Sequence, residues 1–433
     1  MLALHDHLVQ LGAHSRAVAW TFRLMSGHSA NAFSREYVLF APPNTAGSQA
    51  VLSRLHNAVI LANPASAEVD APVGPDRLEP LLGRLRQIHH IELRLKGEGR
   101  APVVDGYDLP SLDVASHGPP GPGLAAGLDI GGTGMKACVL RPDGTLLRVA
   151  SAPTWPDGEH GIASLVRRAR ELVQRVAAGE PLGSLGIGFA SPMGVGGKVL
   201  ELSTVMREKV GDPSAFDAFP RAVAQGLVDG PVAIFNDLAN LGRTLSAQGV
   251  RRLVRLQIGT SFGGCWIDAN GLVYATEMGR VVIDAGPDAV PHPYLPIAGA
   301  VRAYLSNRGV ADDLAVRLGR PVDLREAGKV LRALLEQGDP VGEQALDRMA
   351  QALRAVVLEL HAVLPGVTGV ELGGSMLQGP GGKGLLARVT GPAAPWATPV
   401  EVRIAAQPGH DGAIAAALAP RVDTALKAMR RVG

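Results

Sequence analysis

Cysteine occurs only twice in the 433 residues, at Cys138 and Cys265, too few for a disulfide framework or a multi-cysteine zinc site. Aromatic residues are also scarce. Four Trp, five Tyr and eight Phe give no stacking platform for nucleobases. Neither sign of charge prevails, since 42 basic residues face 40 acidic ones and leave a net charge of +2. That balance calls for neither nucleic acid nor an anionic membrane as partner. No apolar run approaches the ~20 residues of a bilayer span, and the opening MLALHDHLVQ lacks the basic n-region of a secretory signal. These absences predict a soluble protein of a reducing, cytoplasmic compartment. Lysine is rare among the basic residues, a bias associated with GC-rich bacterial genomes.

What is present is apolar and rich in turns. Hydrophobic residues make up 46% and charged ones 19%, which excludes a disordered chain. The length suits two or three domains. Glycine (54) and proline (32) are abundant, so sharp turns and close backbone approaches are expected. They are densest over 116–123, SHGPPGPG, where neither a helix nor a central strand can persist. This stretch reads as a linker between a unit of residues 1–115 and a larger one, 124–433.

The first unit gives mixed signals. Leu2 to Met25 has the content of a helix, Glu36–Ala41 that of a strand, 77–88 helical spacing, and Ile91–Leu95 strand alternation. His5, His7, His89 and His90 lack carboxylate or Cys partners at ligand spacing and read as surface or loop histidines. There is no helix-turn-helix pattern.

The second unit is clearer. Strands are predicted at 124–130, 135–140 and 146–150, the last two joined by an Asp143-Gly144 turn. An amphipathic helix follows from Ile162 to Val176. Further strands are expected at 185–189, 232–235, 254–258, 264–267, 272–274, 370–372 and 400–404, with helix in most of the last third. Two glycine-punctuated strand sets suggest a duplicated α/β unit with helices on both sheet faces.

Four segments carry chemistry. In Leu128-Asp129-Ile130-Gly131-Gly132-Thr133-Gly134-Met135-Lys136 a strand delivers an acid to a glycine turn. The turn's amides can approach an oligophosphate, Thr133 and Lys136 add a hydroxyl and a cation, and Asp129 can hold a hydrated Mg2+. The spacing is not that of a Walker loop, and the same glycines would serve a plain hairpin. Gly259-Thr260-Ser261-Phe262-Gly263-Gly264 is a second such turn, and the two could clamp a triphosphate from opposite sides. In Glu371-Leu372-Gly373-Gly374 a strand meets a glycine turn that could lie against a nucleoside or simply connect to a helix. Finally, the strand Val232–Phe235 ends in Asn236-Asp237. Asp237 could cap the following helix or act as general base toward a substrate hydroxyl.

In order and spacing these segments resemble the ROK family (repressor, open reading frame, kinase) of the sugar kinase–actin superfamily, over about 124–420. The resemblance implies a two-lobed actin-like (ribonuclease H-like) α/β kinase fold, here with an additional N-terminal α/β domain. It implies ATP as co-substrate, with polyphosphate as an alternative donor, Mg2+ as cofactor, a sugar or sugar-like cyclitol as acceptor, and a homodimer. Asp129, Gly131, Gly132, Thr133, Lys136, Gly259, Thr260 and Ser261 match its phosphate motifs, and Gly373 and Gly374 its adenosine turn. Asn236 and Asp237 match the sugar-binding Asn and the catalytic Asp. Ser191, at the end of Gly186–Pro192, and Glu277, in Glu277-Met278-Gly279, fall on its sugar site. Arg302–Arg308 resembles the helix after the family's zinc loop, and His410–Ala417 its closing helix.

The departures also carry expectations. Arg280 replaces the His that often follows Glu-x-Gly, and 284–296 contains no Cys, so no zinc is expected. Ser191-Pro192 and Ser203–Arg207 differ from the glucose-site pattern. Arg280, with Arg207, points to an acceptor other than plain glucose, since an arginine there could meet a carboxylate, a phosphate or a rearranged hydroxyl set. The alternative for Arg280 is a surface pair with Asp284. A sugar-responsive regulator and a catalytically altered binding or assembly protein are the competing functions.

Overall fold

The computed structural model describes residues 1, 3–13, 16–25, 34–62, 66–72, 83, 92–95, 123–156, 158–191, 193, 198–199, 202, 204–292, 295, 297–364, 366–391, 400–406 and 409–420. The linker at 116–123, Gly123 apart, lies outside them. So do the helical spacing over 77–88, Gly83 apart, and His89, His90, Pro192 and Ser203.

The N-terminal unit runs α1 (Leu4–Gly12), β1 (Val18–Met25), β2 (Ser34–Ala41), α2 (Thr45–Ala62), β3 (Ser66–Asp70) and β4 (Glu92–Leu95). Its sheet has the order β2-β1-β3-β4. The helix expected from Leu2 to Met25 is therefore corrected to a short helix followed by a strand. Within β1, Trp20, Phe22 and Leu24 are buried while Arg23 between them is exposed. That is an alternation of two, which overrides the helical content of the run.

The first lobe contains β5 (Leu124–Ile130), β6 (Gly134–Leu140), β7 (Leu146–Pro153), α3 (Gly161–Ala177), β8 (Leu182–Phe189), α4 (Thr204–Val210), α5 (Phe219–Ala224), β9 (Val232–Asn236) and α6 (Asp237–Ala247). The second contains β10 (Leu253–Ile258), β11 (Phe262–Ile267), β12 (Val273–Thr276), α7 (Asn307–Leu318), α8 (Ala327–Glu336), α9 (Pro340–Val363), β13 (Gly369–Gly373), α10 (Pro380–Thr390) and β14 (Glu401–Ile404). Their sheets read β7-β6-β5-β8-β9 and β12-β11-β10-β13-β14. Strand for strand the order is the same. In both, the first three strands form an antiparallel meander, and the first strand pairs in parallel with the fourth, which pairs in parallel with the fifth.

Helix α11 (411–420) follows β14 of the second lobe but packs on the sheet of the first. A Cβ at Gly127 or Gly186 would run into the backbone of Ala413 or Ala416, so glycine in β5 and β8 is what lets α11 lie flat on that sheet. The first lobe has its own core on the α3 side, built on Leu128, Leu165, Leu172 and Phe189 among others. The core of the second lobe is continuous with that of the N-terminal unit, running from Trp20 and Leu55 through Ile283 to Val356.

Candidate active site

The two glycine turns come from the meanders of opposite lobes and meet. Between β5 and β6, the Gly131 amide donates to the Gly134 carbonyl at 3.0 Å. Thr154, just beyond β7, holds the same turn through its hydroxyl to Gly131 O (2.8 Å) and its amide to Thr133 O (3.1 Å). Between β10 and β11, Gly259 N donates to Ser261 O at 3.0 Å and Asn307 N to Gly259 O at 2.7 Å. The hydroxyls of Thr133 and Thr260 lie 2.6 Å apart across the lobes. A Cβ built on Gly259 would come no closer than 3.9 Å to any neighbour, Ser261 O, so internal packing does not require glycine there. Gly132 lies in the first turn and Ser261, exposed, in the second.

Strand pairing sets Lys136 directly opposite Asp129, and the Lys136 charge works against the upward shift that burial gives the Asp129 carboxyl. On the neighbouring strands, β9 ends at Asn236, whose Oδ1 accepts from Ala239 N at 2.9 Å and caps α6. The capping role expected as the alternative for Asp237 thus belongs to Asn236. Asp237 is the first helical residue, with Oδ1 accepting from Leu238 N at 2.9 Å. Asn236 also donates from Nδ2 to Ser191 O at 3.1 Å. The Ser191 hydroxyl, 3% exposed as a residue, finds no hydrogen-bond partner among the described residues.

Asp129 and Asp237 are neighbours across Gly188. A Cβ there would lie 3.7 Å from both Asp129 Oδ1 and Asp237 Cβ. Each residue keeps part of its surface accessible while protein surrounds its carboxylate. Burial first, then the charge of Asp129, pushes the Asp237 carboxyl up to about 7, with Glu277 adding a smaller effect in the same direction. Glu277 of the second lobe is therefore within range for its charge to act on Asp237.

Among the described residues no three His, Cys, Asp or Glu side chains form a group that could hold a metal ion. Asp129 suits Mg2+ nonetheless, because that ion takes one or two protein carboxylates and completes its shell with water and phosphate oxygens.

Glu277 precedes a 3-10 turn, Met278–Arg280, and is exposed, with Arg280 Nε 3.6 Å from its Oε2. The surface pair of Arg280 with Asp284 is corrected. Asp284 is buried and accepts from the Tyr304 hydroxyl (2.8 Å) and the Gly286 amide (2.9 Å). His292 accepts from Leu295 N at 3.1 Å, and burial and the charge of Arg302 hold its imidazole down at about 4. The helix expected over Arg302–Arg308 is also corrected. A 3-10 turn, Val301–Ala303, comes first, and Ser306 caps α7 from Asn307 onward.

Gly373 and Gly374 are packed against their own protein on the side where a Cβ would stand. A Cβ on Gly373 would strike Arg255, Asp411 and Gln257, and one on Gly374 (φ 107°) the carbonyl of Ile258. Beneath this turn lies a cluster that sequence reasoning missed. Arg255, 1% exposed, pairs with Glu371 at 2.8 Å and with Asp411 at the start of α11, while Gln257 donates to Asp411 at 3.3 Å. It ties the second sheet to the helix that lies on the first.

No family model matches the chain, and no curated protein matches it. Solved structures do. A ROK hexokinase from Thermus thermophilus is 24% identical over 70% of this chain and 99% of its own, with a TM-score of 0.50. A ROK family protein from Streptococcus pneumoniae, solved in complex with sucrose, is 19% identical over 70% and 99%, with a TM-score of 0.51. A ROK family transcriptional regulator, a homologue of the E. coli Mlc protein, is 15% identical over 70% and 80%, with a TM-score of 0.51. With two sheets of one strand order joined by a shared helix, the chain has the two-lobed actin-like fold of these proteins, preceded by an N-terminal α/β unit.

Proposed function

We propose that this chain is a ROK-type carbohydrate kinase that transfers the γ-phosphoryl group of ATP to a hydroxyl of a sugar or cyclitol. The observation that carries the proposal is the meeting of two glycine turns at Thr133 and Thr260 beside a carboxylate, Asp237, pushed up to about 7. Phosphoryl transfer asks the protein for positioning, charge neutralisation and a base, and these groups can supply each. Amides of Gly131, Gly132 and Gly259, with the hydroxyls of Thr133, Thr260 and Ser261 and the Lys136 ammonium, would hold the phosphate oxygens, and Gly373 and Gly374 would border the nucleoside. Polyphosphate is the alternative donor.

Asn236, Ser191, Glu277 and Arg280 would hold the acceptor. Asp237 keeps Oδ1 on the Leu238 amide and would take the acceptor proton on Oδ2 as the acceptor oxygen bonds to phosphorus and the bond to the bridging oxygen of ADP breaks. A carboxylate titrating near neutrality is well matched to that task. Asp129 would hold Mg2+, through water, and the ion would offset the phosphate charge.

The division into an N-terminal domain 1–115, a linker 116–123 and a kinase domain 124–433 belongs to this proposal, as does a cytoplasmic homodimer. Among the described residues no helix is long and apolar enough to cross a membrane. A sugar-responsive regulator is the second reading, because one of the structural neighbours is a regulator. The adjacent Asp129 and Asp237 favour the enzyme, since a regulator needs no titrating base. In a transfer assay with MgATP and a panel of hexoses and cyclitols, Asp237→Asn should lose at least about 100-fold in kcat and keep its fold. Turnover near that of the wild type would overturn the mechanism, and a panel without any turnover would favour the regulator.

A further inference from the structure

The segment that carries Glu277 and Arg280 is held from outside its own lobe. Helix α2 of the N-terminal unit places His56 and Asn57, 1% and 0% exposed, against the main chain just past the Met278–Arg280 turn. His56 Nε2 donates to the Arg280 carbonyl at 2.9 Å. The ring is held neutral, because burial drives its pKa down to about 4. The Asn57 side chain grips Val282 as a neighbouring strand would, donating from Nδ2 to Val282 O (2.8 Å) and accepting from Val282 N on Oδ1 (2.7 Å). One residue on, the Leu4 amide donates to Ile283 O at 3.0 Å. On the opposite edge the same segment pairs within its lobe, Val301 N to Val281 O and Ile283 N to Gly299 O, both at 2.8 Å.

Residues 280–283 are therefore bonded both to the N-terminal unit and to residues 299–301 of their own lobe. Helix α2 is itself fixed to α9, where Glu359, 0% exposed, receives Arg54 Nη2 at 2.9 Å and Asn57 Nδ2 at 2.8 Å. Sites so buried offer no water to replace a lost partner, so each bond constrains the turn in front of it.

We propose, on the kinase reading, that the N-terminal unit positions the acceptor side of the active site: His56 and Asn57 fix the main chain of residues 280–282 and thereby aim Glu277 and Arg280 at the acceptor. They are positioning residues. Among the described residues their hydrogen bonds go to residues 280–282 and to Glu359 rather than to the nucleotide turns, so their loss should act chiefly on the acceptor.

The test uses the full chain with MgATP and a panel of D-glucose, D-mannose and myo-inositol, and compares wild type with His56→Leu, His56→Gln and Asn57→Ala. H56L and N57A should raise KM for whichever acceptor the wild type uses by roughly five- to tenfold, leaving KM for ATP unchanged. H56Q, which can still donate to the Arg280 carbonyl, should recover most of the loss. Amide hydrogen exchange should rise at 278–283 in H56L and N57A and not at 131–134 or 259–261. Unchanged acceptor KM in both variants would overturn the proposal. So would equal rises for acceptor and ATP, or unchanged exchange at 278–283 should the variants be too inactive for kinetics. A wild-type chain that phosphorylates nothing in the panel overturns the kinase reading and this proposal with it, which separates the two failures.

Discussion

The two lobes share one strand order yet are stabilised differently. The first closes a core of its own between its sheet and α3. The second shares its core with the N-terminal unit, whose Trp20, Phe22 and Leu55 join Val356 and Ile283 in one cluster. The same topology can thus be self-sufficient or completed by an added unit, depending on which side chains its outer helices present. Most of the candidate phosphate, metal and base groups, Asp129 to Lys136 and Asp237, sit on the self-sufficient lobe, whereas Glu277 and Arg280 sit on the one that leans on its neighbour.

The largest expected effect breaks that junction. Glu359→Ala leaves Arg54 as an uncompensated buried charge and should cost about 3–5 kcal/mol, read by denaturant unfolding. If the first lobe is independent, calorimetry should show the transition of the second lobe falling and that of the first staying in place. Replacing Arg54 and Glu359 together by Met and Leu should restore most of the loss, because apolar packing often matches a buried ion pair.

Next in size is a pH-dependent gain. The Asp237 carboxyl is pushed from 3.8 up to about 7, so the folded state binds that proton more tightly than the unfolded state. Stability should fall as pH rises from about 4 to about 7 and level off beyond. Asp237→Asn removes this cost. The variant should unfold later than wild type at pH 8, by on the order of a few kcal/mol, and show no such gain at pH 4. In wild type, kcat/KM should rise with pH and reach half its maximum near 7, as the base of the free enzyme loses its proton.

A smaller effect probes the shared helix. Gly127→Ala would push a methyl into the backbone of α11 and should cost about 1–3 kcal/mol by overpacking. Its thermal transition should be that of the first lobe, although α11 follows the second in sequence. Smallest is Thr133→Val, which removes the hydroxyl contact with Thr260. It should change stability by about 1 kcal/mol or less while weakening the KM for ATP, a split that would separate a phosphate ligand from a mere contact between lobes.

Much of this was legible because it is local. The Asp-Ile-Gly-Gly-Thr turn, the Asp143-Gly144 hairpin and the apolar face of α3 each declare themselves within a few residues. The same locality misled at Leu2–Met25, where apolar content suits either period and only the burial of Trp20, Phe22 and Leu24 selects the strand. It misled again at Asp237, because Asn236 and Asp237 are equally good caps in sequence and the bond to Ala239 decides between them. His56 and Asn57 did leave a trace, two polar residues inside the apolar run LHNAVILA of α2. Their partner segment lies more than 200 residues away, beyond any spacing rule.

Sequence alone determined the strands of the second unit, its glycine turns and the acids that its strands deliver, since these follow from backbone permissiveness and hydrophobic period, which act between near neighbours. Tertiary structure alone decided that Thr133 meets Thr260, that Asp129 lies close enough to raise Asp237, and that an N-terminal helix holds the turn bearing Glu277 and Arg280. Desolvation and charge coupling depend on distance in space, and that distance exists only once the sheets have packed.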